Sequence, residues 1–164
     1  MELWDIYDED RNITGRTITR GEKLKEGEFH LAVHIWIMNN NGDFLIQKRA
    51  PTVGLNPGLW AITGGSAVKG EDSFQACVRE MSEELGITPN MKDALIILSL
   101  KRKDFFCDVW LIRQDFEITS CSLQAEEVSE VKWATISEIS ELLTKGEFWP
   151  YRYFEELVEV LKDK

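Results

Sequence analysis

Three glutamates, Glu80, Glu83 and Glu84, stand at i, i+3 and i+4 in the run Gly65-Ser-Ala-Val-Lys-Gly-Glu71-Asp-Ser-Phe-Gln-Ala-Cys-Val-Arg79-Glu80-Met-Ser-Glu83-Glu84-Leu-Gly86-Ile87. On a helix this spacing brings the three carboxylates within one turn, where like charges repel. A hard divalent cation reverses the sign of that interaction. Mg²⁺ or Mn²⁺ takes several carboxylate oxygens and leaves positions open for water and phosphate. The pattern therefore suits a protein that holds divalent metal against a diphosphate. A lone Glu-Glu pair more often marks a solvated acidic helix face, so the surrounding residues decide between the two readings.

The glutamates need a helix, and the sequence supplies one from about Asp72 to Leu85. Phe74, Cys77, Val78, Met81 and Leu85 form an apolar stripe at helical spacing, and Gly86 ends it with a left-handed cap. Upstream, Leu31 to Met38 and Phe44 to Lys48 read as strands joined at Asn39-Asn-Asn-Gly-Asp43, a natural hairpin. A loop from Ala50 to Pro57 leads into a short strand, Leu59 to Thr63, that runs into Gly64-Gly65. Downstream, Ala94 to Lys101 and Phe105 to Asp115 form a second strand pair, followed by a strand at Val128 to Trp133. Thr135-Ile-Ser-Glu138 is a capping-box start for a helix reaching about Leu143, and Tyr151 to Leu161 is amphipathic and terminal. Residues 1–29 read as an N-terminal extended segment punctuated by Gly15, Gly21 and Gly27. This order of elements predicts a single mixed α/β domain spanning residues 1–164.

The segment from Gly65 to Ile87 resembles the Nudix box of the MutT-like hydrolases, G-x5-E-x7-R-E-U-x-E-E-x-G-U with U a bulky aliphatic residue. All nine fixed positions match: Gly65, Glu71, Arg79, Glu80, Met81, Glu83, Glu84, Gly86 and Ile87. The resemblance implies an α/β/α sandwich with a mixed β-sheet. It also implies Mg²⁺-dependent (or Mn²⁺-dependent) hydrolysis of the diphosphate linkage in a nucleoside diphosphate joined to another group, by water attack on phosphorus. Carried over position by position, Glu80, Glu83 and Glu84 match the metal glutamates, and the Gly64 carbonyl matches a backbone ligand. Glu71 and Arg79 match an ion pair that orients the carboxylates. Gly65 matches the turn where backbone approaches phosphate.

Other candidates lie outside the box. The resemblance places the general base on a box glutamate or on a later loop, where Glu126 and Glu127 are the candidates and Glu127 is preferred. Lys48 and Arg49 end the second hairpin strand and are candidates for clamping substrate phosphates. Trp60 is expected in the core rather than stacked on substrate, and so are His30 and His34. Phe148-Trp-Pro-Tyr151 and Phe154 either line a base pocket or pack the terminal helix, and packing is the favoured expectation.

Composition narrows the partners. The formal charge is −10, which disfavours nucleic acid, and the expected partner is a small nucleotide or diphosphate. The three cysteines, Cys77, Cys107 and Cys121, form no disulfide framework. The acidic amino terminus carries no signal pattern, so a cytoplasmic protein with no membrane span is expected. Homodimerisation through the N-terminal segment is possible.

Two other functions fit parts of the sequence. The run Phe29-His30-Leu-Ala-Val with Gln47-Lys-Arg49 and Pro57-Gly-Leu-Trp60 also resembles the isopentenyl diphosphate isomerase branch. That chemistry needs a cysteine and a histidine soon after the tryptophan, and Ala61-Ile-Thr-Gly-Gly-Ser-Ala67 has neither. A silent nucleotide-binding module is the third reading, although such modules typically lose a metal glutamate. The substrate itself has no signature in the sequence.

Overall fold

The computed structural model describes all 164 residues. Its chain begins with an antiparallel hairpin, β1 (Leu3–Tyr7) and β2 (Ile13–Thr19), which forms a two-stranded sheet of its own. The segment expected to be merely extended is thus paired. Its turn is set by Asp8, whose carboxylate accepts from the backbone N–H groups of Asp10 and Asn12 at 2.9 Å each. Arg11, at φ 65°, projects from that turn and grips Asp108 in a two-pronged ion pair at 2.7 and 2.5 Å.

The main sheet has β3 (His30–Met38) near its centre, parallel to β8 (Phe105–Arg113) over nine register pairs. Strand order is β5-β4-β3-β8-β7, with β4 at Phe44–Arg49, β5 at Trp60–Ala61 and β7 at Leu95–Lys101. Two further strands attach off this path: β6 (Thr63–Ser66) to β3 and β9 (Val128–Ala134) to β4. The expected hairpin of β3 and β4 closes at one register pair only, Met38 with Phe44, and then splays. Partners from later in the chain take the freed edges. β6 pairs with Ala32 to Ile35, while β5 and β9 pair with β4. The single strand expected at Leu59 to Thr63 is therefore two, because the chain crosses from β4 to β3 at Ile62.

Strand alternation sorts the core onto two faces. Val33, Ile35 and Ile37 share one cluster with Ala76, Cys77, Met81 and Leu85 of α1 (Ser73–Leu85). Ala32 and Trp36 share the other with Ile139 of α2 (Ile136–Thr144) and Leu157 of α3 (Phe154–Leu161). This is the α/β/α sandwich. Trp60 and Phe148 are buried in the second cluster, as expected. The terminal helix begins at Phe154 rather than Tyr151, because Tyr151 and Tyr153 lie in a turn against His34 and Trp36. No helix is long and apolar enough to cross a membrane.

Candidate active site

Local chemistry sets the limits of α1. Asp72 caps its N-terminus by accepting from Gln75 N–H at 2.8 Å while the Gln75 side chain accepts from Asp72 N–H at 3.0 Å. Gly86 closes it at φ 66°. The buried face differs from the expected stripe. Phe74 is 47% exposed, and its place is taken by Ala76, Glu80 and Glu84. Two of the three glutamates therefore lie on the face turned toward the sheet.

Arg79 organises this cluster. Its guanidinium donates to both oxygens of Glu71 at 2.7 and 2.9 Å, to Glu80 at 3.0 Å, to Glu83 at 3.1 Å and to the Ser66 carbonyl at 3.0 Å. Glu71 in turn accepts from Val68 N–H at 2.9 Å, which ties the loop to the helix. Glu71 and Arg79 thus form an ion pair, and Arg79 also touches Glu80 and Glu83. Glu84 is held separately. Gln47 on β4 donates to it at 2.8 Å and itself accepts from Thr63 Oγ1 at 2.8 Å.

Burial shapes the charge of the cluster. Desolvation, with the charge of Glu83 and the opposing pull of Arg79, raises Glu80 to about 7. Glu84 is raised well above the usual carboxylate range by desolvation and then by Glu80, against the hydrogen bond from Gln47. Burial thus pushes both carboxyl groups toward their neutral forms.

The donor set fits a hard cation. One oxygen each of Glu80 and Glu83 accepts from Arg79 and one of Glu84 from Gln47, and the Gly64 N–H also bonds the Glu84 carboxyl. The three carboxylates do not form a ready-made metal cage; Arg79 holds Glu80 and Glu83, and Gln47 holds Glu84. Gly65 supplies the room. A Cβ built there would collide with the Glu80 carboxylate, and one at Gly64 would meet the Val33 carbonyl oxygen at 2.6 Å.

A cavity of about 930 Å³ opens over these groups and brings most of the predicted residues together. Gly64, Gly65, Arg79, Glu80, Glu83 and Glu84 line one side, with Arg49, Glu126 and Glu127 also in the wall. The loop bearing Glu127 reaches the site because Gln124 N–H donates to the Glu84 carbonyl at 3.1 Å and Ala50 N–H to the Glu127 carbonyl at 2.9 Å. Arg49 makes no ion pair. It donates to the Leu55 carbonyl at 2.9 Å and lies 5.0 Å from the Trp149 ring centre.

Lys48 does not join them. Strand alternation turns it to the Ile46 face, opposite Gln47, so its candidacy as a phosphate clamp is corrected. His30 also stays out of the cavity, stacked on Trp4 at 4.1 Å. Sequence reasoning missed Gln47 and Thr63 as supports of Glu84. It also missed Glu2 and Arg20, which reach the cavity wall from the N-terminal hairpin as an ion pair at 3.1 Å. Gln47 carried a signal in its place beside Lys48-Arg49, whereas Glu2 and Arg20 carried none.

Residues 28–157 match the family model described as NUDIX domain. The chain belongs to the Nudix family. It is 42% identical over 161 residues to an uncharacterised Nudix hydrolase of Listeria innocua, covering 98% of this chain and 95% of that one. It is also 29% identical over 158 residues to an isopentenyl-diphosphate Delta-isomerase of Streptomyces avermitilis, covering 89% and 77%. In fold it superposes on the crystal structure of a Deinococcus radiodurans protein with a TM-score of 0.80 at 20% identity, covering 97% and 99%. The Nudix box is thus the α1 N-terminal loop and helix described above.

Proposed function

We propose that this Nudix hydrolase cleaves the diphosphate linkage of a nucleoside diphosphate joined to another group, with Mg²⁺ or Mn²⁺ held by Glu80, Glu83, Glu84 and the Gly64 carbonyl. The observation that carries this reading is the set of three carboxylates, Glu80, Glu83 and Glu84, lining one cavity with Arg49, which forms no ion pair. A bound divalent cation supplies positive charge against the phosphate oxygens and acidifies water. The chain's own groups do the rest. Arg49 binds phosphate oxygens through its fork of N–H donors and neutralises charge developing on the bridging oxygen. Arg79 fixes the carboxylates of Glu80 and Glu83. Glu127, half-buried in the wall of the same cavity, takes the proton from the attacking water.

The isomerase reading has weaker support. Protonating an alkene needs a positioned acid and base, and Ala61 to Ala67 offers neither cysteine nor histidine. A panel of nucleoside diphosphate derivatives with Mg²⁺ and Mn²⁺ tests the proposal by release of nucleoside monophosphate. Glu83→Gln and Glu84→Gln are each expected to lower turnover by about 100-fold or more. Unchanged turnover in both variants would remove the site assignment. Ligand-induced thermal stabilisation without any turnover would favour a binding module.

A further inference from the structure

A second cavity, of about 330 Å³, lies on the α2/α3 face of the sheet and shares Trp149 with the first. Its walls are aromatic, with Trp149, Tyr151 and Tyr153 beside His34. At its mouth stand Arg102, Lys103 and Arg152, with Asp104 the one acid among the lining residues. None of these three cations forms an ion pair. In a chain with 29 acidic and 19 basic residues, three unpaired cations around one opening form a local reversal of charge.

The hydrogen bonds at the floor assign a donor. Trp36 Nε1–H can only donate, and it does so to the Tyr153 hydroxyl oxygen at 3.2 Å. The Tyr153 proton then has His34 Nδ1 before it at 2.8 Å. Burial lowers His34 to about 4, so the ring is neutral at physiological pH. A neutral imidazole that accepts at Nδ1 carries its proton on Nε2. That nitrogen has no protein partner and is not sealed from solvent, so it presents an N–H to the cavity.

We propose that this cavity receives one ring-bearing end of the diphosphate substrate, and that it selects a ring with a hydrogen-bond acceptor toward His34 and an anionic substituent of its own beside Arg102, Lys103 and Arg152. The inference rests on the diphosphatase reading of the first cavity. Trp149, common to both walls, marks where one ligand would pass from the phosphate site to the ring site. Aromatic walls stack a planar ring, and a charge-assisted hydrogen bond at the rim discriminates for a second anion.

Calorimetric titration without divalent metal, comparing adenosine 3′,5′-bisphosphate with adenosine 5′-monophosphate, separates this proposal from the hydrolytic one. The protein is expected to bind the bisphosphate about tenfold more tightly. Arg102→Ala combined with Arg152→Ala is expected to erase that preference. Lys162→Ala, at an exposed surface ion pair on the terminal helix, is expected to keep it. Equal binding of both probes by the unmodified protein overturns the proposal, as does a preference that survives the double variant or vanishes equally in Lys162→Ala. Because nothing turns over in this titration, a failure to hydrolyse any diphosphate leaves its result readable.

Discussion

At position 65 a single added methyl group would collide with the carboxylate of Glu80, one of the three proposed metal ligands. The backbone at Gly65 does not occupy the left-handed region, so the glycine is required for space rather than for conformation. Gly65→Ala would drive a Cβ into the Glu80 carboxylate and displace it from Arg79. Displacing a ligand by the support around it typically weakens metal affinity about 10- to 100-fold. Calorimetric titration of Mn²⁺ into Gly65→Ala is expected to show a loss of that size, and an unchanged dissociation constant would contradict the reading of this glycine. Glu84 makes the same point from the other side, since its orientation depends on Gln47 and, through it, on Thr63.

Among the elements, the N-terminal hairpin bears most directly on the site. It docks on the loop of the box, with Lys69 N–H donating to the Leu3 carbonyl and Gly70 N–H to Asp5, both at 2.7 Å. Arg11 pins its turn to Asp108, a residue with no exposure, which also accepts from Ser99 Oγ at 3.1 Å. Arg11→Ala leaves that carboxylate buried with its charge uncompensated, at a cost of about 3 kcal/mol. Thermal unfolding is expected to show the corresponding drop in midpoint, and a melting curve like that of the unmodified protein would contradict the clamp.

The same elements show what could be read from sequence. Helix α1 was legible because its capping box, apolar period and closing glycine are all local, and the box residues fixed its acidic face. The face occupied by Phe74 was not, since Trp110 lies at its edge only through the fold. The splay of β3 from β4 was hidden because the partners that replace their pairing, β6 and β9, come from later in the chain. Lys48 and Arg49 are adjacent in sequence, and alternation separates them, but nothing local says which of the two faces α1. Glu2 and Arg20 reach the cavity by a long-range docking that leaves no pattern in their own segment.

On the scale of the whole molecule, the sandwich places one cavity against the acidic helix and another against the aromatic turn before α3, with Trp149 common to both. A protein of charge −10 attracts an anionic substrate only where cations dominate locally. The proposed metal site would become such a place once it holds a cation, and the protons on its buried carboxyl groups compete with that binding. In the metal-free protein Glu80, raised to about 7, and Glu84, raised further, keep protons that the unfolded chain has already lost. The native state then binds more protons, so stability falls as pH climbs from the ordinary glutamate range through about 7. Under the proposed function a divalent cation takes the place of those protons.

Titration of Mn²⁺ into the metal-free protein at about pH 6, in two buffers of different ionisation enthalpy, measures that exchange directly. Binding is expected to release about one proton or more per ion, to tighten as pH rises, and to weaken sharply in Glu83→Gln. Absence of Mn²⁺ binding, or binding that releases no proton and persists unchanged in Glu83→Gln, would contradict the assignment of these carboxylates.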